Sequence, residues 1–153
     1  MNLAARLAAA TATALVLAST PAFSADGLVT MPSSHAPRET LDRLEGVLKE
    51  KGLTVFLRLD HAAGAARIGK TLRPTELLVF GNPQGGTPLM ECGQSAGIDL
   101  PLKALAWQDA EGRNFLSYND PTWIATRHGV SSCPVAANLR KALEGFTQAA
   151  TKP

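Results

Sequence analysis

Glycines and polar residues suited to holding a ligand gather in one short segment of the chain. Residues 76–88 read ELLVFGNPQGGTP. The apolar run 77–80, bounded by turn-forming residues, is typical of a buried strand. Thr87 before a proline is typical of the N-cap of a helix, and free backbone N–H groups there can bind an anion. We therefore expect Gly85, Gly86 and Thr87 to contact a small polar or anionic ligand, with a plain tight turn as the alternative.

Three further polar side chains follow the ends of predicted strands and complete the expected site. His61 follows a strand that ends at Asp60, Asn82 follows the apolar run, and Tyr118 ends the last predicted strand. Each has a structural alternative, such as a histidine that forms hydrogen bonds inside the domain. The three histidines lack metal-binding spacing, so we predict no metal and no cofactor. The predicted ligand-binding residues are His61, Asn82, Gly85, Gly86, Thr87 and Tyr118.

A motif of serine hydrolases also occurs, because residues 93–97 read GQSAG and match G-x-S-x-G. That chemistry needs a buried strand before the serine and a long helix after it. No strand pattern precedes this motif, and Pro101 prevents a long helix after it. We interpret the segment as a glycine-rich helix end and expect a protein without catalytic residues. A small enzyme using His61 as base, with Asp99 or Asp120 nearby, remains an alternative.

The first 24 residues have the pattern of a secretory signal peptide. Arg6 precedes an alanine-rich apolar stretch at 7–19, and the small residues Ala22 and Ser24 suit cleavage after Ser24. We therefore predict a periplasmic or secreted protein whose single domain spans residues 25–153. Without Arg6 the 15 basic residues become 14, against 13 acidic residues. This near-neutral balance argues against nucleic acid or an anionic membrane surface as a partner.

The two cysteines, Cys92 and Cys133, allow three interpretations. An even number in an oxidising compartment suggests a disulfide bond. Two unpaired thiols are the second interpretation. A redox or soft-metal pair is the third, although the Cys-x-x-Cys signature is absent. Soft ligands available to a copper site are Met31, Met90, Cys92, Cys133 and His61.

Hydrophobic periodicity predicts five strands and five helices, with a frayed tail after residue 146. One strand, 53–60, alternates so that Leu53, Val55, Leu57 and Leu59 should share a face. A hairpin late in the chain interrupts regular β-α alternation. The predicted fold is therefore an α+β two-layer sandwich with a mainly antiparallel sheet and helices on one face. Strands are predicted at 27–32, 53–60, 76–80, 102–108 and 114–118, and helices at 37–51, 61–70, 88–95, 121–127 and 134–146.

Several motifs occur in a characteristic order, and together they resemble the bacterial family known as domain of unknown function 302. This resemblance implies a fold like the repeats of TATA-binding protein, β-α-β4-α in outline, and homodimers. It is a likeness of fold that implies no DNA binding, and the family brings no established activity or catalytic residues. Cys92 and the tail that holds Cys133 depart from its pattern, which suits a bridge between them. The motifs are 60–63 DHAA, 72–78 LRPTELL, 80–83 FGNP, 86–90 GTPLM, 99–102 DLPL and 118–121 YNDP.

These features predict an exported, non-catalytic module that binds a small polar or anionic molecule. One alternative is a copper-binding or redox-linked protein of the cell envelope. A second is the small enzyme described above. A third is a structural partner protein that acts through its dimer surface.

Overall fold

The computed structural model describes residues 26–153. The predicted signal peptide at 1–24 lies outside the described residues. Residues 26–153 form five strands and five α-helices in the predicted order, together with one short 3-10 helix. The elements are β1 (Leu28–Ser33), α1 (Pro37–Glu50), β2 (Thr54–Asp60), α2 (His61–Arg67), β3 (Thr75–Gly81), α3 (Pro83–Cys92), the 3-10 helix (Gln94–Ile98), β4 (Leu102–Gln108), β5 (Asn114–Asn119), α4 (Pro121–Arg127) and α5 (Pro134–Thr151).

The strands form one sheet in the order β1-β5-β4-β3-β2. Each neighbouring pair is antiparallel. Of the paired strands, only β4 and β5 are joined by a short turn, and each of the other three pairs is connected by a longer segment that contains at least one helix. The α+β class predicted from the sequence is confirmed.

One face of this sheet packs against α1 and α5 and forms the core. In α1 the residues Leu41, Leu44 and Leu48 are fully buried, at the spacing expected of one apolar helix stripe. They cluster with buried side chains of the sheet that alternate along β3, including Leu78 and Phe80. The core therefore follows directly from the two periodicities of the sequence.

The last helix is longer than the sequence pattern predicts. The expected frayed tail is wrong for 147–151, because α5 continues to Thr151 and buries Thr147 and Ala150. Thr147 is polar, but its hydroxyl donates to the carbonyl of Leu143 at 2.9 Å, so it can be buried without losing a hydrogen bond.

A bulge in β2 changes which side chains face the core. The register of β2 on β3 shifts between Val55 and Leu57. Leu57 and Leu59 therefore lie on the face away from α1, where they are 50% and 42% exposed. The predicted alternation is wrong beyond Val55, because an extra residue in a strand exchanges the two faces after it. No helix within residues 26–153 has the length and hydrophobicity needed to cross a membrane.

Candidate functional site

The segment between β3 and α3 differs from its predicted form. Asn82, not Thr87, is the N-cap, and α3 begins at Pro83, five residues before the predicted start at Pro88. Asn82 accepts a hydrogen bond from the backbone N–H of Gly85 at 2.8 Å. An asparagine before a proline is a strong helix start, and it prevails here over the second possible start at Thr87.

The early start of α3 uses the amides that were expected to bind an anion. The N–H of Gly85 donates to the Asn82 side chain, and the N–H of Gly86 donates to the Asn82 carbonyl at 3.1 Å. Thr87 now lies inside the helix rather than at its cap. Because these donors already have partners, the arrangement does not offer the amide cradle that the sequence suggested.

Asn82, Gly85, Gly86 and Thr87 instead line one open cavity with a volume of about 350 Å³. Most of its wall is apolar. Glycines contribute because they leave space: a Cβ atom at Gly86 would lie 3.5 Å from Leu100 Cδ1. The rest of the wall comes from β2, the end of β3, α3, the 3-10 helix, the start of β4, α5 and the residues just before β2 and β4. These residues are Leu53, Phe56, Gly81, Pro83, Met90, Gly97, Leu100, Pro101, Leu102 and Leu139.

A second hollow of about 330 Å³ adjoins the first on the side of α5. Leu139 on α5 and Gly85 on α3 line both hollows. A Cβ atom at Gly85 would come within 3.1 Å of Leu139 Cδ2, so α3 and α5 approach closely there. The second hollow is also lined mainly by apolar side chains, among them Phe80, Val135, Leu143 and Phe146.

A disulfide bond joins Cys92 at the end of α3 to Cys133, the residue before α5. Their Cα atoms are 6.0 Å apart, well within the range for a bridge. The structure thus contains the disulfide favoured from the cysteine count. It connects the helix that forms one cavity wall to the helix that supplies Leu139.

His61 does not lie beside this cavity. Thr54 pairs with Gly81 and Asp60 pairs with Glu76 in the antiparallel β2–β3 ladder. His61 follows Asp60 and is exposed at the first position of α2. It therefore sits at the opposite end of the ladder from Gly81, and the sequence could not show this because proximity along the chain does not specify strand register.

Tyr118 is also separate from the cavity. It pairs with Ala104 in the middle of the sheet and is only 4% exposed. Burial raises the pKa of its hydroxyl, although a hydrogen bond with Thr147 of α5 acts in the opposite direction. Tyr118 thus joins the sheet to α5, which is a role in packing.

The soft ligands that the sequence offered for copper are dispersed. Cys92 and Cys133 are bonded to each other, and Met31 accepts a hydrogen bond from Thr151 at 3.7 Å. Met90 lines the cavity. Among residues 26–153, His, Cys, Asp and Glu side chains form no group of three that could hold a metal ion.

The end of the ladder near His61 is strongly charged. Glu76 is buried and accepts hydrogen bonds from Arg58 at 2.9 Å, and its other oxygen lies 3.4 Å from Arg38. Arg58 also donates to Asp42 of α1. Burial alone would lower the pKa of Arg58, but its bonds with Asp42 and Glu76 outweigh this and raise it. These charges bind one another, so they serve to attach α1 to the sheet.

Sequence reasoning located the glycine-rich wall of the cavity but missed its apolar walls. Leu53, Leu100 and Leu139 come from three separate parts of the chain. Each of them looks like an ordinary core residue in its own pattern. Residues 97–101 read GIDLP, and their glycine and proline are typical of a turn, but no local pattern shows that Leu100 borders a hollow.

Fold and cavity together define a small α+β domain with an apolar hollow at one end of its sheet. Residues 29–146 match the family model described as "Domain of unknown function DUF302". The chain therefore belongs to this family, as its motifs predicted. A crystal structure of an uncharacterized conserved protein of that family from Bacillus stearothermophilus superimposes with a TM-score of 0.74 at 23% identity, covering 82% of this chain and 99% of that one. That likeness concerns the fold.

Longer proteins share part of this sequence. The chain is 51% identical over 108 residues to the "Fluoride-specific ion channel FluC 1" of Brucella suis biovar 1 (strain 1330), covering 69% of this chain and 42% of that protein. It matches the protein of the same name from Brucella abortus biovar 1 (strain 9-941) at the same identity, covering 40% of it. The chain spans less than half of the length of these relatives.

Proposed function

We propose that the protein is an exported binding module whose cavity at the start of α3 holds a small molecule with an apolar body. The cavity itself carries this proposal. Its volume of about 350 Å³ falls in the range of sites for small ligands, which are mostly apolar with a few polar groups. The expected preference for a polar or anionic ligand is revised, because the amides of Gly85 and Gly86 are already engaged.

Asn82 is the polar group best placed to orient such a ligand. Its side-chain oxygen caps α3, whereas its amide nitrogen has no part in that bond and can donate to a ligand. A ligand with one acceptor on an otherwise apolar skeleton fits this combination. The adjoining hollow beyond Leu139 gives a longer skeleton room to extend toward α5.

Binding of N-phenyl-1-naphthylamine, a neutral aromatic fluorophore, tests this proposal. The Gly86→Leu variant places a side chain in the cavity, since a Cβ there already points toward Leu100. We expect its dissociation constant to rise about tenfold or more, a loss of about 1.4 kcal/mol. Gly46→Leu is the matched control, because Gly46 lies in a helix with open space around its Cβ position.

Two outcomes would contradict the proposal. One is unchanged fluorophore binding in a folded Gly86→Leu protein. The other is stabilisation of the parent by inorganic phosphate or fluoride but not by the fluorophore, because a ligand of the native state raises thermal stability. The second outcome would restore the anion-binding hypothesis.

A second candidate function rests on the relatives. A segment half identical to this chain occurs inside proteins named as fluoride-specific ion channels. The supporting argument is that a domain joined to a channel in one chain tends to act on the same process when it is a separate chain. We therefore also infer that this protein acts beside a membrane fluoride channel.

This second candidate is tested on the Brucella suis protein. Deleting its 108-residue matching segment should change fluoride efflux from proteoliposomes, and adding the present protein in trans should restore the original rate. Equal efflux with and without the segment, and with and without the added protein, would reject the role. The cavity proposal would be unaffected by that result.

A further inference from the structure

A serine, a histidine and an aspartate form a continuous hydrogen-bonded chain. Ser95 Oγ lies 2.9 Å from His128 Nδ1. His128 Nε2 lies 2.7 Å from Asp99 Oδ2. Ser95 is exposed to solvent, while His128 and Asp99 are mostly buried, with 9% and 13% of their side chains exposed.

Local structure holds this chain of residues in place. Ser95 lies on the 3-10 helix, Asp99 is its C-cap, and His128 is the C-cap of α4. Gly93 permits the two segments to meet, because a Cβ atom there would lie only 2.9 Å from Val130 Cγ1. The disulfide at Cys92 anchors the same segment one residue earlier.

Asp99 is itself fixed by a second partner. Arg127 Nη1 donates to both carboxylate oxygens, at 3.0 Å and 3.2 Å. Asp99 therefore stays oriented toward His128 Nε2 and favours the tautomer whose proton is on Nε2. In that tautomer Nδ1 carries the lone pair and accepts from the Ser95 hydroxyl.

We propose that Ser95 is a nucleophile, that His128 is its general base, and that Asp99 is the residue that positions His128. The substrate class is an activated ester of a carboxylic or phosphonic acid. In the first step Ser95 Oγ bonds to the electrophilic carbon or phosphorus, and its proton passes to His128 Nδ1. The bond to the leaving oxygen breaks, and that oxygen takes the proton from Nδ1. Water then attacks the ester on Ser95 and gives its proton to His128 Nδ1. The Ser95 oxygen leaves and takes that proton, which restores the hydroxyl.

The roles of the two ring nitrogens are exchanged relative to the usual serine triad, in which Nε2 faces the serine. Neutral imidazole has one donor and one acceptor nitrogen, so the exchange preserves the proton path. Ser95 does not form a hydrolase elbow, as the sequence predicted, because it lies on a 3-10 helix rather than between a strand and a long helix. The proposal rests on the distances, not on the G-x-S-x-G match.

A fluorophosphonate probe, which releases fluoride when a serine attacks its phosphorus, provides the test. We expect peptide mass spectrometry of the folded protein to find the probe on Ser95. Labelling should disappear in Ser95→Ala and persist in Ser132→Ala, which removes an exposed serine of the loop after α4. Labelling at other serines with none at Ser95 would overturn the proposal.

Two variants separate catalysis from a merely structural contact. His128→Ala should slow labelling about 100-fold or more, the usual contribution of a general base, and added imidazole should restore part of the rate. Asp99→Asn should slow labelling without lowering the melting temperature. If the melting temperature does fall, Asp99→Glu should recover the labelling rate. Labelling at the parental rate in His128→Ala, or no recovery with imidazole in a folded variant, would show that the contact only supports the fold.

Discussion

The two ends of the β2–β3 ladder are built from opposite chemistry. At one end Asp60 pairs with Glu76, and the buried Glu76 carboxylate is bound by Arg58. At the other end Thr54 pairs with Gly81, and the chain turns into a capped helix that borders an apolar hollow. One end is filled with mutually satisfied charges, and the other is left partly empty.

This contrast shows which polar residues are available for function. A charged side chain that is paired with its neighbours, as Glu76 is with Arg58, is committed to the fold, because removing one partner leaves the other charge uncompensated. His61 lies at that charged end, which is why an exposed histidine after a strand proved to be remote from the cavity. At the Gly81 end the glycines leave space that protein atoms do not fill. An apolar cavity with one hydrogen-bond donor, here the side-chain amide of Asn82, suits a small ligand.

The largest predicted effect concerns the covalent link at the cavity end. Replacing Cys92 and Cys133 together with alanine frees a loop of 41 residues and should lower the free energy of unfolding by about 4 kcal/mol. Urea denaturation measures this. Fluorophore binding should weaken as well, since α3 and α5 are no longer tied. An unchanged urea midpoint would mean that the disulfide does not contribute to the stability of the protein.

The second prediction concerns the charged end of the β2–β3 ladder. Glu76→Ala leaves Arg58 without its buried partner and should cost about 2–3 kcal/mol, less than a fully buried pair because Arg58 is partly solvated. Fluorophore binding should stay at the parental level. Glu111→Ala serves as the control, because its pair with Arg113 is exposed on both sides and exposed pairs contribute little. Loss of fluorophore binding in Glu76→Ala would show that the two ends are coupled.

The third prediction compares two helical glycines. Gly86→Ala and Gly46→Ala should each stabilise the protein by about 0.5–1 kcal/mol, because alanine loses less backbone entropy on folding. A Cβ at Gly86 makes an ordinary contact of 3.5 Å with Leu100. Only Gly86→Ala should reduce fluorophore affinity, and equal affinity in both variants would place the ligand outside the cavity. Thermal melts and fluorescence titrations measure the two effects.

The smallest predicted effect is a pH dependence in the β4–β5 turn, which lies at the charged end. Desolvation would raise the pKa of Asp109, but hydrogen bonds from the backbone and side chain of Arg113 outweigh it and hold the pKa below its ordinary value of 3.8. The stabilisation is therefore present above pH 3.8 and is lost as pH falls through the lowered pKa.

Urea midpoints of the parent and Asp109→Asn, measured across this acid range, test the sign. The parent should lose its advantage over the variant as the solution becomes more acidic, and fluorophore binding should not follow that titration. An advantage that persists at the acid limit would contradict the assignment to Asp109.

The sequence by itself determined the family, the α+β class and the order of the strands and helices. The family follows from the ordered motifs between residues 60 and 121. The class and the order of elements follow from period-2 and period-3.6 patterns and from turn residues, which act over a few positions. Even so, the sequence pattern predicted that α3 begins at Pro88, whereas the helix begins at Pro83 behind the Asn82 cap.

Tertiary structure alone decided which distant residues meet. Strand register separated His61 from Asn82, a bulge exchanged the faces of β2, and burial assigned Tyr118 to the contact with α5. Packing of helices and loops against one another brought Leu53 and Leu139 around one hollow and set Ser95, His128 and Asp99 in line. The physical reason is that the space between elements depends on the volumes of side chains far apart in sequence, and no local pattern records it.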